Sequence, residues 1–270
     1  MDNLEAFAIL INFFEHIDVL LLIFVRLIGF FMLVPVISGQ NIWMQGRIFL
    51  ALTMAIALFT SGHVTTVYVA NTTAGYVYLV LIEFLVGMAM GYVVFAVFNL
   101  IFFAGQLMDF QIGLMMVNVV DPMTQIQVPL TGNIFYFGLM AMVVVTGGLQ
   151  AFFLGLFSSF YMLPIGTAFV IGNSNLAWYV VMLLTDSMVL AVRLAMPIVG
   201  SMMIINIALG IMVKTVPQMN VFVVGLPLKL LVGTLLLYTV MLPQLGDIFN
   251  QVFYMAQVAM HEVMWGMMPR

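Results

Sequence analysis

The sequence contains no cysteine among its 270 residues. This absence excludes disulfides, thiolate catalysis and cysteine-based metal sites. The three histidines, His16, His63 and His261, are far apart in the chain and form no ligand motif, so we expect no bound metal. The sequence also has no P-loop, GxGxxG, GxSxG or HExxH motif, so nothing in it predicts an enzyme or a cofactor site.

Charged residues are also scarce: six Lys and Arg and ten Asp and Glu give a formal net charge of −4. So few basic residues exclude a nucleic-acid interface and a polybasic lipid-binding tail. No charged residue or histidine lies between Asp121 and Asp186, an interval long enough for two spanning helices of about 20 residues each. With 65% hydrophobic residues and a mean hydropathy of +1.25, the chain has too little polar surface for a water-soluble domain.

The apolar residues are concentrated in segments separated by loop residues. The segments lie near residues 19–37, 47–60, 76–104, 133–163, 176–213, 221–242 and 248–265. None of them alternates apolar and polar residues as the strands of a membrane barrel do, and helices are the other way to pair the backbone in lipid. We therefore predict an all-α integral membrane protein with six or seven apolar helices and helical hairpins.

Two of these segments fit a membrane span poorly. The 133–163 segment would be about 45 Å long as a straight helix, against a hydrocarbon core of about 30 Å. Because Gly147-Gly148 lies near its middle, we predict that this segment is kinked or broken. The 47–60 segment is too short to span. Gly87 and Gly91 form a GxxxG pair, which indicates close helix packing either within the chain or between subunits.

Four charged residues lie inside or at the edges of apolar segments: Arg26, Glu83, Asp186 and Arg193. We predict that they are buried charges whose partners lie in a helix bundle, because an unpaired charge in lipid is costly. A proton relay is disfavoured, since it would need several carboxylates at one depth, and Glu83, Asp109 and Asp186 are in different segments. Coupled transport is therefore poorly supported.

A polar interval, GQLMDFQIGLMMVNVVDP, separates two apolar blocks and begins at Gly105. If its first residues are helical, Gln106, Asp109 and Gly113 share one face of the helix. The β-branched residues that follow and the Asp-Pro pair at the end disfavour helix. Residues 114–122 are therefore predicted to leave the helix as an irregular or extended loop.

Two interpretations of this interval stay open from composition alone. Irregular backbone at membrane depth survives only where protein buries it or where it borders a water-filled cavity, so the interval could line or obstruct a pore. It could also be an ordinary loop outside the membrane, with a helix cap at Asp121. Its apolar residues favour the pore, because a free loop gains nothing by exposing them. The residues of the pore hypothesis are Gln106, Asp109, Gln111, Gly113, Leu114, Met115, Met116, Val117, Asn118, Asp121 and Pro122.

Lys214 and Lys229 are the two basic residues that bracket the stretch TVPQMNVFVVGLPL. By the positive-inside rule this connection faces the cytoplasm. The sequence therefore predicts a helical hairpin over 194–265 with a cytoplasmic turn.

At these residues the chain resembles the FliR family of flagellar export-gate proteins, whose virulence counterpart is the SctT protein of injectisomes. One motif is GQLMDFQIG, from Gly105 to Gly113, followed by Asp121-Pro122. The others are PQMNVFVVGLPLK, from Pro217 to Lys229, and RLIGFFMLVP, from Arg26 to Pro35. The likeness extends over nearly the whole chain, and of the two branches we favour the flagellar one.

The resemblance implies a subunit that joins FliP and FliQ in a helical, pore-forming assembly for the export of unfolded flagellar proteins. Residues 1–190 are then a FliP-like part whose loop at 106–122 plugs the closed pore, and residues 191–270 are a FliQ-like helical hairpin. The expected location is the bacterial inner membrane at the flagellar basal body, with much of the assembly raised toward the periplasm.

The resemblance also implies the partners of the cytoplasmic turn. FlhB is expected to wrap around the gate at this turn, while FlhA and a cytoplasmic ATPase are expected to supply the energy for export. The turn residues are Lys214, Pro217, Gln218, Asn220, Gly225, Pro227 and Lys229. Rivals to this function are an injectisome counterpart, a stand-alone small-molecule secondary transporter and a passive membrane scaffold.

Overall fold

The computed structural model describes residues 17–39, 43–62, 64, 72–116, 129–166, 174–216, 218 and 220–268. Those residues form helices joined by short connections, and none of them lies in a β-strand. The α-helices are α1 (Ile17–Leu33), α2 (Pro35–Ser38), α3 (Met44–Thr60), α4 (Thr73–Ile112), α5 (Leu130–Val145), α6 (Gly148–Met162), α7 (Ser174–Thr215), α8 (Val221–Leu236) and α9 (Leu245–Met267). A 3₁₀ turn, Leu114–Met116, follows α4, and a π-helical turn, Leu237–Met241, follows α8.

The predicted all-α membrane architecture is confirmed. Within the described part of the chain, three helices are long and apolar enough to cross a membrane: Thr73–Ile112, Ala177–Thr215 and Val223–Met241. The number becomes four if α5 and α6 are counted together as one broken span. The apolar segments read from the sequence therefore correspond to helices, with boundaries that differ by a few residues.

The predicted break in the 133–163 segment is present, because α5 ends at Val145 and α6 begins at Gly148. Gly147, between them, has a φ of 75°, a left-handed conformation that glycine adopts without steric cost. The short 47–60 segment corresponds to α3, which has 17 residues. A helix of that length is about 25 Å long, less than the hydrocarbon core of about 30 Å.

α4 and α7 are, in contrast, much longer than a membrane is thick. They contain 40 and 42 residues. At 1.5 Å per residue each helix is about 60 Å long, which is twice the hydrocarbon core of about 30 Å. A bilayer can therefore surround only part of either helix.

The chain forms two compact units. Unit 1 contains Met1–Phe95, Leu149–Met182 and Ala256–Arg270, and unit 2 contains Ala96–Gly148 and Leu183–Met255. Residues of α4, α7 and α9 therefore contribute to both units. The predicted division at residue 190 rests on likeness to other subunits and not on compactness, so it stays a prediction.

In unit 1, α1 and α4 approach so closely that the contact requires glycine. A Cβ atom on Gly87 would overlap the backbone of Arg26, and one on Gly91 would lie 2.7 Å from the Phe30 carbonyl oxygen. From the opposite helix, a Cβ atom on Gly29 would come within 2.6 Å of the α4 backbone. The GxxxG pair therefore packs within the chain. Lipid tails are as apolar as leucine, so the burial of apolar side chains alone does not favour contact between helices in a membrane. The close approach of the two backbones adds van der Waals contacts that do favour it.

Arg26 and Glu83 form an ion pair at this contact, and each side chain is only 1% exposed. The Arg26 Nε–H donates to Glu83 Oε2 at 2.6 Å. Arg26 Nη1 donates to the carbonyl oxygens of Ser159, at 3.2 Å, and Leu163, at 2.9 Å. Because these carbonyls lie at the C-terminal end of α6, the guanidinium also caps that helix. The second Glu83 oxygen accepts a hydrogen bond from the Gly166 N–H at 3.4 Å.

We predict that Arg26→Met lowers the free energy of unfolding of the detergent-solubilised chain by about 3–5 kcal/mol, because the Glu83 carboxylate is left buried without its partner. The double variant Arg26→Met/Glu83→Leu should recover part of this loss, since it leaves no uncompensated charge. Denaturant titration measures both changes. Arg193→Met is the control, because this arginine is exposed and its replacement should change the free energy by less than about 0.5 kcal/mol. Equal losses for the two single variants would contradict the assignment.

Candidate functional site

The polar interval begins inside α4, which continues as a helix to Ile112. The Gly113 N–H donates to the Asp109 carbonyl oxygen at 3.0 Å. Gly113 itself has a φ of 93°, a left-handed conformation that ends the helix as a glycine cap does. The chain therefore leaves the helix where the sequence predicted, and the first residues beyond it form the 3₁₀ turn Leu114–Met116. Residues 117–128, which include Val117, Asn118, Asp121 and Pro122, lie outside the described part of the chain.

Asp109 is 1% exposed and accepts hydrogen bonds from the N-terminus of α5. The Thr131 N–H donates to Asp109 Oδ2 at 3.1 Å, and the Thr131 hydroxyl donates to Asp109 Oδ1. Pro129 occupies the N-cap position of α5 and provides no side-chain cap. The Asp109 carboxylate supplies from a neighbouring helix the acceptor that the N-cap residue lacks, and its negative charge faces the positive end of the α5 dipole.

A second contact holds the same two helices together one turn earlier. A Cβ atom on Gly105 would overlap the Gly132 backbone, and one on Gly132 would lie 3.3 Å from both the Cα atom and the carbonyl oxygen of Phe102. Beside this contact, the rings of Phe102 and Tyr136 lie 4.5 Å apart between centroids. α4 and α5 therefore touch through their backbones at Gly105 and Gly132.

A third contact comes from α8. A Cβ atom on Gly233 would lie 2.7 Å from Cγ1 and from Cγ2 of Ile112, whose side chain is fully buried. α5 and α8 thus hold the last two turns of α4, from Gly105 to Ile112, which we call the α4 anchor. All three contacts belong to unit 2. The segment beyond Gly113 therefore begins at a fixed point.

The other residues of the interval differ in exposure. Gln106 is exposed, whereas Gln111, Gly113, Leu114 and Met115 are half-buried. Because α4 is helical at both positions, Gln106 and Asp109 lie about 60° apart on one side of the helix, as the spacing predicted. Only Asp109 is buried, since α5 covers it and leaves Gln106 exposed.

Of the four predicted buried charges, Arg26 and Glu83 are buried and paired in unit 1. Asp186 and Arg193 are exposed on α7, so the prediction that they are buried is wrong for this chain alone. The Arg26–Glu83 contact is the one ion pair formed within the described ranges. The charges on α7 therefore obtain no ionic partner from the described residues.

The connection between α7 and α8 lies within the stretch that the sequence predicted, because α7 ends at Thr215 and α8 begins at Val221. The predicted turn was too long, since Gly225, Pro227 and Lys229 lie inside α8. Lys214, Gln218, Asn220 and Pro227 are exposed, Lys229 is half-buried and Gly225 is buried. Pro217 lies outside the described residues. The Asn220 carbonyl oxygen accepts a hydrogen bond from the Val223 N–H at 3.1 Å, which starts α8. The cytoplasmic location of this turn stays a prediction.

The sequence did not single out Thr131, Gly132, Gly233 or Ser159 as site residues. A usable signal was present for Thr131, which follows Pro129 at the start of an apolar helix. Proline at that position supplies no side-chain acceptor, so the start of the helix is open to an acceptor from elsewhere in the chain. Gly233 and Ser159 carry no such signal, because Gly233 meets the aliphatic side chain of Ile112 and Ser159 accepts from Arg26 through its backbone carbonyl oxygen.

Comparison with known proteins gives the chain its family. The sequence profile described as "Bacterial export proteins, family 1" matches residues 17–256. The flagellar biosynthetic protein FliR of Bacillus subtilis (strain 168) is 31% identical over 82% of this chain and 85% of its own length. FliR of Aquifex aeolicus (strain VF5) is 31% identical over 83% of this chain and 85% of its own length.

A virulence-associated protein is also similar. The surface presentation of antigens protein SpaR of Shigella flexneri is 24% identical over 84% of this chain and 88% of its own length. The family match covers nearly every helix described above, including the α4 anchor and the turn between α7 and α8. The chain therefore belongs to the bacterial export proteins of family 1 and is a membrane component of the flagellar or type III export apparatus.

Proposed function

We propose that the chain is a non-enzymatic subunit of the flagellar type III export gate. With FliP and FliQ it forms the channel through which unfolded flagellar proteins cross the inner membrane, and its segment at 106–122 closes the pore before export. The higher identity to the FliR proteins, 31% against 24% for SpaR, favours the flagellar branch over the injectisome branch.

The α4 anchor is the observation that carries the plug proposal. A plug segment must begin at a fixed point of the subunit, because otherwise it would not stay aligned with the pore. Asp109, Gly105 and Ile112 fix that point through contacts with α5 and α8. Asp109 is thus an anchor and not a lining residue, while Gln106 and the half-buried Leu114 and Met115 remain available to the pore.

The long helices support an assembly that is raised out of the membrane plane toward the periplasm. α4 and α7 are about 60 Å long, and a bilayer covers about 30 Å of apolar surface. Both helices belong to candidate spans with high mean hydropathy, 2.2 and 2.1. The apolar length that lipid cannot cover is available to partner subunits.

The turn between α7 and α8 is the proposed contact with FlhB at the cytoplasmic entrance, with FlhA and the ATPase as the sources of export energy. Lys214 and the exposed Gln218 and Asn220 present polar groups to such a partner. The two lysines on either side of the turn, Lys214 and Lys229, support a cytoplasmic location by the positive-inside rule.

Co-purification tests the assembly directly. A tagged chain should bring down FliP and FliQ from solubilised membranes in a defined ratio. A stand-alone secondary transporter would instead purify alone as a monomer or dimer and bind a metabolite at the membrane midplane. Purification of the chain without either subunit would overturn the export-gate proposal.

Replacement of residues 114–120 by a Gly/Ser linker of equal length should make the inner membrane leak small ions, because a flexible polar linker cannot fill an apolar constriction. The leak is measured as potassium release from cells, with assembly checked by co-purification of FliP and FliQ. The equally long segment 167–173, replaced in the same way, is the control. Unchanged conductance in a correctly assembled variant would refute the plug.

Asp109→Ala should lower the free energy of unfolding by about 1–3 kcal/mol, because the Thr131 N–H loses its acceptor. It should also produce a smaller potassium leak than the linker variant, since the plug remains but its base is loosened. Thr131→Val combined with Asp109→Ala should cost less than the sum of the single changes, because the two residues form one contact. Gln106→Ala, exposed and one turn away, is the control for stability and should leave the free energy of unfolding unchanged. A destabilised Asp109→Ala variant with no leak would limit Asp109 to helix capping.

A further inference from the structure

The last helix, α9, leaves one side uncovered, and that side is polar. Its seven exposed residues are Asp247, Asn250, Gln251 and Tyr254 in unit 2 and Gln257, His261 and Trp265 in unit 1. With about 3.6 residues per turn, they all fall within an arc of about 120° around the helix. Every other residue of α9 is buried or half-buried. We call these seven residues the polar arc.

α9 separates its residues by chemistry more sharply than α8 does. No aliphatic side chain of α9 is exposed, and buried residues such as Val252 and Ala256 lie opposite the polar arc. α8 in contrast exposes apolar side chains, among them Val223 and Leu231. α9 is therefore an amphipathic helix whose apolar side is already covered by its own chain.

Lipid does not fit the polar arc. α9 has 23 residues, but it is not among the helices that are apolar enough to cross a membrane. From Asp247 to Trp265 the arc extends over about 27 Å, nearly the thickness of a hydrocarbon core of about 30 Å. Lipid tails against this line would leave carboxylate, amide and imidazole groups without hydrogen-bond partners.

The connection to α8 indicates the depth at which the arc lies. Val223–Met241 is a candidate membrane span, and only three residues, Leu242 to Gln244, separate it from α9. In the proposed hairpin, α9 therefore returns through the same depth that this span crosses. Polar side chains at membrane depth border a water-filled cavity or other protein.

The composition of the arc fits contact with polypeptides of varied sequence. Asp247, in the first turn, is its one acidic residue, and it contains no Lys or Arg. A nearly neutral surface does not repel or retain segments of either charge. The amides of Asn and Gln both donate and accept hydrogen bonds, so they match the peptide groups of any chain. Tyr254 and Trp265, which are 69% and 58% exposed, add aromatic contact area.

We propose that the polar arc of α9 lines the aqueous export path and contacts the unfolded polypeptide in transit. This inference rests on the proposed function, which supplies the path and its substrate. It gives the chain two separate elements of the channel: the segment at 106–122 closes the path, and α9 forms part of its wall.

Thiol labelling tests whether the arc faces water. Because the chain has no cysteine, Gln257→Cys places a single thiol on the arc. In the complex with FliP and FliQ, reconstituted in lipid nanodiscs, a charged maleimide reaches both membrane faces. Gln257→Cys should react at least about tenfold faster than Leu231→Cys, because a thiol in lipid does not ionise. Leu231 is the matched control, since it is 68% exposed on the apolar α8. Equal or slower labelling at position 257 would mean that lipid or protein covers the arc, which overturns the proposal.

A stalled polypeptide then tests whether this water belongs to the export path. An exported flagellar protein fused at its C-terminus to a stably folded domain should stop with its unfolded part in the channel. Labelling of Gln257→Cys should fall when this polypeptide is present, whereas labelling of Ser61→Cys, exposed at the end of α3, should not change. Labelling of position 257 that the polypeptide leaves unchanged would place the arc in water outside the path.

Cross-linking identifies what touches the arc. A thiol-directed photo-cross-linker at Gln257→Cys or Gln251→Cys should form adducts with the stalled polypeptide, and the same reagent at Leu231→Cys should not. Adducts from the arc with FliP, FliQ or a second copy of the chain in place of the polypeptide overturn the inference.

Failure of this inference differs from failure of the export gate. If the original chain brings down neither FliP nor FliQ, the export-gate function itself is wrong. If the complex forms and holds the stalled polypeptide while the arc is neither protected nor cross-linked to it, the gate stands and α9 is not part of its wall.

Discussion

Contact between helix backbones at glycine is the constraint on which both compact units depend. In unit 1, Gly29, Gly87 and Gly91 bring α1 onto α4, and in unit 2 Gly105 and Gly132 bring α4 onto α5. A side chain at these positions would overlap backbone atoms, which cannot move aside as a flexible side chain can. Lipid can cover any apolar surface of a helix, so apolar character alone does not make the helices associate. The close fit at these glycines adds van der Waals contacts that stabilise the association.

Buried polar groups lie at the same contacts and make them specific. Arg26 reaches Glu83 and the end of α6 beside Gly87, and Asp109 reaches the start of α5 one turn after Gly105. In each case a charged side chain satisfies backbone groups that a helix end leaves open. If one helix slid along its neighbour, Arg26 or Asp109 would lose its hydrogen-bond partners. These polar contacts therefore fix the position of each helix along its neighbour.

The sequence predicted the elements of this structure better than their contacts. Apolar runs and Gly147 marked the helices and the break between α5 and α6, because hydropathy and backbone freedom are properties of a local stretch. Arg26 was expected to be buried, but Ser159 is 133 residues away and accepts through a backbone carbonyl, which any residue type has. Asp186 and Arg193 were expected to be buried and are exposed on this chain alone, since hydropathy identifies an apolar helix and not the side of it that the same chain covers. In the α4 anchor, the sequence singled out Asp109, because it is an acid in an apolar segment. It did not single out the partner of Asp109, Thr131.

Gly113 separates the packed end of α4 from the segment that follows the helix. Before it, the residues of the α4 anchor pack against α5 and α8, so a change in length or volume there disturbs the packing of three helices. At Gly113 the left-handed backbone ends the helix, so the α4 anchor does not depend on a helical continuation. We therefore expect the anchor to stay folded when the length or composition of the chain beyond Gly113 is changed, provided that the glycine at the junction is retained.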